Sequence, residues 1–181
     1  MREKLLFWMG SRFPAEERNE HAAWVMESPD RLEMLWDIFE TAEPPVPQRV
    51  AWTLDKVFDT NTAILQPYVG RLAGRLNALK HDGEKRSAMR ILAGLILPEE
   101  VIGPLFEVAF TWFENPLVAV AIRVHCMQVL YNISEKEPEL KRELLIAFQA
   151  HYADGSPAYK ARARKLIKKL SRETGILLPA N

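Results

Sequence analysis

Residues 123–133, RVHCMQVLYNI, carry the pattern that decides the fold. Cys126, Leu130 and Ile133 are apolar and occupy positions i, i+4 and i+7, which places them on one face of an α-helix. The same pattern recurs at intervals of 37 or 38 residues, in Val50/Leu54/Val57, Ala88/Leu92/Leu95 and Ala163/Ile167/Leu170. The first residue of each set is called the anchor below. A helix that returns at a fixed interval indicates a repeat protein.

A second apolar pattern has the same period and alternates with the first. It comprises Ile64/Tyr68/Leu72, Ile102/Phe106/Phe110 and Leu140/Leu144/Phe148, at intervals of 38 residues. Each repeat is therefore predicted to be a hairpin of an A helix followed by a B helix, the B helix bearing the anchor. A single hairpin cannot bury its apolar face, so neighbouring hairpins must stack. The sequence predicts an all-α protein of about four to five hairpins, with roughly nine helices.

The 181 residues are predicted to form a single domain. Residues 1–45 depart from the repeat and are expected to form an atypical N-terminal cap, as terminal repeats often do. Residues 46–172 form the regular repeats, and residues 173–181 form a tail.

Composition and charge exclude several classes of protein. Hydrophobic residues make up 48% of the chain, enough for a core, and the formal net charge is zero. Residues 1–60 carry 12 acids and 7 bases, whereas residues 121–181 carry 6 acids and 11 bases. A single cysteine excludes an intrachain disulfide, and no apolar run approaches the ~18 residues of a membrane span. We expect a soluble, cytoplasmic protein.

Two motifs resemble the HEAT-repeat family of armadillo-type α-solenoids. Ile64-Leu65-Gln66-Pro67-Tyr68 and Val101-Ile102-Gly103-Pro104-Leu105 resemble the proline-containing segment of that family's A helix. The B helices resemble its pattern of a base, a small residue and a leucine, in Lys85…Ala88…Leu92, Arg123…Cys126…Leu130 and Lys160…Ala163…Ile167. The chain is similar in this respect to short bacterial HEAT-like proteins. The resemblance implies a right-handed α-solenoid whose B helices line the concave side.

Residues two or five positions after an anchor lie on the side of the B helix opposite the core, because two residues turn an α-helix by about 200°. Arg86, two residues before its anchor, faces the same way. We call this set the outward stripe: Trp52, Asp55, Arg86, Arg90, Gln128, Tyr131, Lys165 and Lys168. Aromatic and arginine residues are common at interface hot spots, which predicts a protein- or peptide-binding surface with Trp52 at its centre. The alternative is a solvated face with one isolated tryptophan.

The last predicted helix is strongly basic. Seven bases and no acid occur in residues 160–172. One interpretation is a nucleic-acid-binding surface, as in HEAT-like DNA-alkylation-repair glycosylases. The other is a solubilising cap that also complements the helix dipole. The neutral chain and the single nearby aromatic residue, Tyr159, favour the cap.

The sequence favours a non-catalytic protein. It contains no Gly-x-Ser-x-Gly segment, no glycine-rich phosphate loop and no His-Glu-x-x-His segment. The four histidines are far apart in the sequence, and Cys126 occupies an anchor position, where a free cysteine behaves as a small hydrophobe. No cofactor and no metal site are predicted. The leading hypothesis is a protein- or peptide-binding scaffold, and the alternative is a nucleic-acid-binding protein.

Overall fold

A computed structural model of the chain describes residues 1–11, 14, 16–153 and 155–176. Within these residues all regular secondary structure is helical. Their contacts divide the chain into two compact units, residues 1–96 and residues 97–181, and each unit is described by itself. The single domain over residues 1–181 stays a prediction. Of the predicted tail, residues 177–181 lie outside the described residues.

The first unit contains six α-helices and two 3-10 helices. They are α1 (Arg2–Gly10), α2 (Glu17–Met26), α3 (Pro29–Thr41), α4 (Val46–Thr60), a 3-10 helix (Thr62–Tyr68), α5 (Val69–Arg75), a second 3-10 helix (Leu76–Ala78) and α6 (Asp82–Leu92). Helix α4 packs against α2, α3 and α6, and α5 packs against α6. The anchors assign α4 and α6 as B helices, and α3 and α5 supply the A side of the hairpins.

The second unit contains two helical hairpins. They are built from α7 (Glu99–Glu114), α8 (Val120–Ser134), α9 (Leu140–Ala150) and α10 (Pro157–Thr174). Helix α7 packs against α8, α9 against α10, and the B helices α8 and α10 pack against each other. The described residues therefore hold ten α-helices, and the prediction of an all-α fold of HEAT-like hairpins with roughly nine helices is confirmed.

The anchors form the core of both units. Val50, Ala88, Cys126 and Ala163 are each at most 2% exposed. Their burial confirms the helical register, because a shift by one residue would turn these side chains by about 100°. Ile167 is the exception within the anchor sets, since it is only half-buried.

The A side of the first unit differs from the predicted single helix. The residues from Ile64 to Leu72 were expected to lie on one helix, but a 3-10 helix covers Thr62–Tyr68 and α5 begins only at Val69. Pro67 lies inside the 3-10 helix. Proline lacks an N–H group and its ring clashes with the preceding turn of an α-helix, so the tighter 3-10 geometry is favoured here.

Helix α10 has well-defined ends. The hydroxyl of Ser156 accepts a hydrogen bond from the backbone N–H of Tyr159 at 3.3 Å, and Pro157 occupies the first turn. Beyond the last residue, Gly175 adopts a φ of 70°, the left-handed conformation that commonly ends a helix. These ends fix which residues of α10 face α8 and α9 and which face away from them.

Candidate partner-binding surface

In the first unit, the outward stripe contains a buried carboxylate held by the next B helix. Asp55 of α4 is 7% exposed and accepts hydrogen bonds from three side chains of α6. Arg86 Nη2 lies 2.8 Å from Asp55 Oδ2, Ser87 Oγ lies 2.7 Å from the same oxygen, and Arg90 Nη1 lies 3.1 Å from Oδ1. Arg90 also contacts Asp59. These bonds are charge-assisted and join two repeats, because the partners are 31 to 35 residues apart.

The same contacts act on the pKa of Arg90. Burial would lower that pKa, but hydrogen bonds to Asp59 and Asp55 outweigh burial and raise it above its usual value. The guanidinium therefore stays charged, and its charge is already neutralised within the chain.

Trp52 is half-buried rather than open to solvent. The guanidinium carbon of Arg18, on α2, lies 4.4 Å from the centroid of the Trp52 ring. This distance is typical of a cation–π interaction. The sequence analysis expected an outward ring available to a partner, but the ring contacts Arg18 of α2 and also lies close to Gly83 of α6.

In the second unit, Gln128 and Tyr131 of α8 contact α10. The side-chain oxygen of Gln128 accepts a hydrogen bond from Arg162 Nη1 at 2.7 Å. The hydroxyl of Tyr131 donates to Glu173 Oε1 at 2.7 Å, and Lys169 Nζ lies 4.9 Å from the Tyr131 ring centroid. Burial, together with the hydrogen bond to Glu173, raises the pKa of Tyr131. Tyr131 is 5% exposed, so it joins two helices rather than facing solvent.

Helix α10 presents the exposed part of the predicted stripe. Tyr159, Ala163, Leu166 and Leu170 are buried on the side that faces α8 and α9. Five bases outside this buried side are exposed, and we call them the α10 basic row: Arg164, Lys165, Lys168, Lys169 and Arg172. At 100° per residue they fall within about 140° of the helix circumference, and the exposed Ala158 and Ala161 lie among them. Lys169 lies at the edge of the row, where its ammonium group also approaches the Tyr131 ring of α8.

The structure thus brings the predicted residues together in two groups. Asp55, Arg86 and Arg90 form one cluster in the first unit, with Trp52 one turn earlier on α4. Gln128, Tyr131, Lys165 and Lys168 belong to the α8–α10 pair of the second unit. A single groove that contains both groups stays a prediction, as does partner binding by any of the eight residues.

Sequence reasoning missed the residues that complete these contacts. Asp59, Arg162 and Glu173 contact members of the outward stripe across neighbouring helices. Their partners are 31 to 42 residues away, and only the repeat period could have pointed to them. It also missed a row of exposed acids on α2, although Glu16 and Glu20 are spaced at i, i+4 and Glu27 follows at i+11.

Other reactive groups are buried or paired. Burial raises the pKa of the Cys126 thiol to about 12, although Arg123 nearby opposes the shift, so the thiolate is disfavoured at neutral pH. An open cavity of about 440 Å³ in the second unit is lined by Arg142, Ile146 and the pair His151 and Glu114, whose Nε2 and Oε1 atoms are 3.1 Å apart. Within the described ranges, no group of three or more His, Cys, Asp or Glu side chains could hold a metal ion.

Comparison with known proteins gives one match. A family model described as a HEAT repeat domain matches residues 9–170. No curated protein and no solved structure matches the chain. In the part of the chain that the structure describes, none of the helices has the length and apolar character needed to cross a membrane.

Proposed function

Because the chain belongs to the HEAT repeat domain family, we propose that it is a non-catalytic scaffold that binds a protein or peptide on the outward side of its B helices. HEAT repeats generally serve as protein-interaction scaffolds. Stacked helical repeats expose extended surfaces, so binding needs no assembled chemical site.

The observation that carries this proposal is the α10 basic row. Five exposed bases on one face of one helix attract an acidic segment of a partner and can form charge-assisted hydrogen bonds with its carboxylates. Lys165 and Lys168, the last two residues of the outward stripe, lie within this row. The row therefore offers a partner cations that are exposed, in contrast to the neutralised arginines of α6.

The other residues of the outward stripe have different roles in the proposal. Asp55, Gln128 and Tyr131 position the B helices through their contacts with α6 and α10. Arg86 and Arg90 are 36% and 28% exposed at the side chain, so a partner could reach their edges while Asp55 remains bound. Trp52 is half-buried and would contribute the exposed part of its side chain.

Nucleic-acid binding is the second candidate function, and the same α10 basic row favours it. Phosphates bind rows of lysine and arginine without regard to sequence, and such binding weakens steeply with salt. Recognition of a single strand also uses aromatic side chains on which bases stack. Tyr159, the aromatic residue of α10, is 1% exposed and cannot serve as such a platform, which favours a protein partner.

The test compares three immobilised proteins as baits for lysate of the native cell: wild type, Lys165→Glu/Lys168→Glu, and the control Lys80→Glu/Arg142→Glu. The control makes the same change of charge at two exposed bases outside α10. We expect that the wild type and the control retain one or more proteins that the α10 variant does not retain. Mass spectrometry identifies these proteins. Identical retention by all three baits contradicts the assignment to α10. Retention of labelled dT20 without any protein would favour the second candidate.

A further inference from the structure

Helix α2 carries an acidic face that none of the contacts described so far uses. His21, Ala22 and Val25 are buried on its inner side, and Arg18 points to Trp52 of α4. On the other side Glu16, Glu20, Ala23 and Glu27 are exposed, and we call them the α2 acidic row. Glu16 and Glu27 border the helix but both have α-helical dihedral angles, so the row keeps the helical phase over its whole length.

One acid of this row is already paired within the chain, because Arg31 forms an ion pair with Glu27. Two other groups contact neighbouring side chains. Lys4 Nζ lies 4.4 Å from the Trp8 ring centroid and 4.7 Å from that of Trp24. Glu17 Oε2 lies 4.0 Å from His21 Nε2, and burial lowers the pKa of His21, so that ring adds little positive charge at neutral pH. Glu16 and Glu20 therefore carry the exposed negative charge of the α2 acidic row.

The two rows have comparable lengths. Glu16 and Glu27 are eleven residues apart, about 16 Å along α2, and Arg164 and Arg172 are eight residues apart, about 12 Å along α10. Each face also contains a small residue, Ala23 on α2 and Ala161 on α10, where two helices can approach closely.

Consecutive B helices within each unit already pair through such contacts. In the first unit α4 supplies the carboxylate of Asp55 and α6 supplies Arg86 and Arg90. In the second unit α8 supplies the amide oxygen of Gln128 and α10 supplies Arg162. Helix α2 packs on α4 and α10 packs on α8, and each of the two helices has a charged face exposed.

We infer that the α10 basic row binds the α2 acidic row of a second copy of this chain, so that the chain associates with itself. This rests on the proposed function and names the partner of the same surface. The two rows have opposite charge, so a row cannot pair with its own equivalent. Each contact therefore joins the α10 basic row of one copy to the α2 acidic row of another.

The dependence of self-association on ionic strength distinguishes a contact between charged rows from an apolar contact. The Debye length is about 30 Å at an ionic strength of 0.01 M and about 3 Å at 1 M, so salt screens contacts between exposed rows. Sedimentation equilibrium at the lower ionic strength should give a weight-average mass at least about twice the 20.8 kDa of one chain, rising further with concentration. At the higher ionic strength the mass should fall to that of one chain.

Charge reversal tests the two rows separately. Lys165→Glu/Lys168→Glu and Glu16→Lys/Glu20→Lys should each be monomeric at low ionic strength. The first variant lowers the net charge of the five-residue α10 basic row from +5 to +1, and the second replaces two acids of the α2 acidic row with bases. A mixture of the two variants should associate again, because the unaltered α10 basic row of one variant can pair with the unaltered α2 acidic row of the other. This rescue shows that both variants are folded, and circular dichroism checks their helix content.

Matched controls make the same changes of charge on other exposed residues. Glu100→Lys/Glu107→Lys on α7 and Lys80→Glu/Arg142→Glu should both associate as wild type does. Loss of association in the controls would mean that net charge alone governs the behaviour, which overturns the inference.

Three further results would overturn the inference. The first is a wild type that stays monomeric at low ionic strength up to about 1 mM, which excludes any Kd for self-association below that value. The second is association that survives both row reversals, and the third is a monomeric protein whose α10 binds labelled dT20. If the wild type is monomeric but still captures another protein through α10, the inference of self-association fails while the proposed function stands. If neither occurs, both fail.

Discussion

Asp55 and Lys168 occupy the same place in the repeat, five residues after an anchor, yet their environments are opposite. Asp55 of α4 is buried and bound by α6, whereas Lys168 of α10 is exposed. Tyr131, the equivalent residue of α8, resembles Asp55, because it is buried and donates a hydrogen bond to Glu173 of α10. An outward position is thus covered where another B helix of the same unit follows, and it remains exposed on α10, where the second unit ends.

The comparison separates contacts that hold the repeats together from contacts available to a partner. Substitutions on α4 and α8 should therefore lower the free energy of unfolding, and substitutions on α10 should change binding instead. The predictions below test this division, from the largest expected loss of stability to the smallest.

Asp55→Ala should cause the largest loss. It leaves two arginines and the hydroxyl of Ser87 without their shared acceptor, and removing one partner of a buried ion pair is strongly destabilising, here by about 3 kcal/mol. Urea unfolding followed by circular dichroism measures the change. Asp59→Ala is the control, because Asp59 also contacts Arg90 but is exposed, and it should cost less than about 1 kcal/mol. Equal effects would show that Asp55 does not hold the two helices together.

Trp52→Ala should lower the free energy of unfolding by about 2 kcal/mol, since the ring is half-buried and also loses the cation–π contact with Arg18. Trp36→Ala provides the comparison, because Trp36 is 0% exposed and a core truncation of this kind costs about 3–5 kcal/mol. Calorimetric melting of both variants gives the order. If Trp52→Ala leaves the melting temperature unchanged, the ring is outward, as the sequence analysis expected.

Tyr131→Phe should cost about 1 kcal/mol at neutral pH, by removing the hydrogen bond to Glu173. Although burial opposes it, that bond and one from Lys141 lower the pKa of Glu173 below 4.5. A lowered carboxyl pKa contributes stability above the unfolded-state pKa, and this contribution is lost as pH falls through the folded-state pKa.

The difference between wild type and Tyr131→Phe should therefore be constant near neutral pH and shrink below about pH 4.5. Urea titrations at several pH values measure it. Tyr152→Phe on the same unit is the control and should show no such dependence on pH. A difference that grows in acid would contradict the assignment of this stability to the Glu173 carboxylate.

Lys165→Ala/Lys168→Ala should change the free energy of unfolding by less than about 0.5 kcal/mol, because both side chains are exposed. The same variant should weaken capture of the partner and raise the concentration needed for self-association. Stability and binding are measured on one preparation. A loss of stability comparable with that of Asp55→Ala would mean that α10 is covered like α4, which would break the comparison.

The sequence by itself determined the helical class, the period of the repeat and the anchors in the core. It could do so because residues at i, i+4 and i+7 meet the same face within one helix, a local geometry that needs no knowledge of neighbours. The anchor residue Cys126 is buried as predicted. Pro67 is visible in the sequence, but the sequence analysis did not predict that a 3-10 helix ends after it and α5 begins. The position of that boundary depends on how the segment packs against α4 and α6.

Only the tertiary structure decided which outward residues are engaged. Periodicity places Asp55, Tyr131 and Lys168 on the same side of their helices but does not say which neighbour lies within reach of each side chain. Asp55 and Arg90 are 35 residues apart in the chain, and they pair because the stacking of α4 on α6 brings a carboxylate and a guanidinium within 3.1 Å. Lys168 is exposed because none of the described helices packs on that face of α10, and no local pattern encodes this.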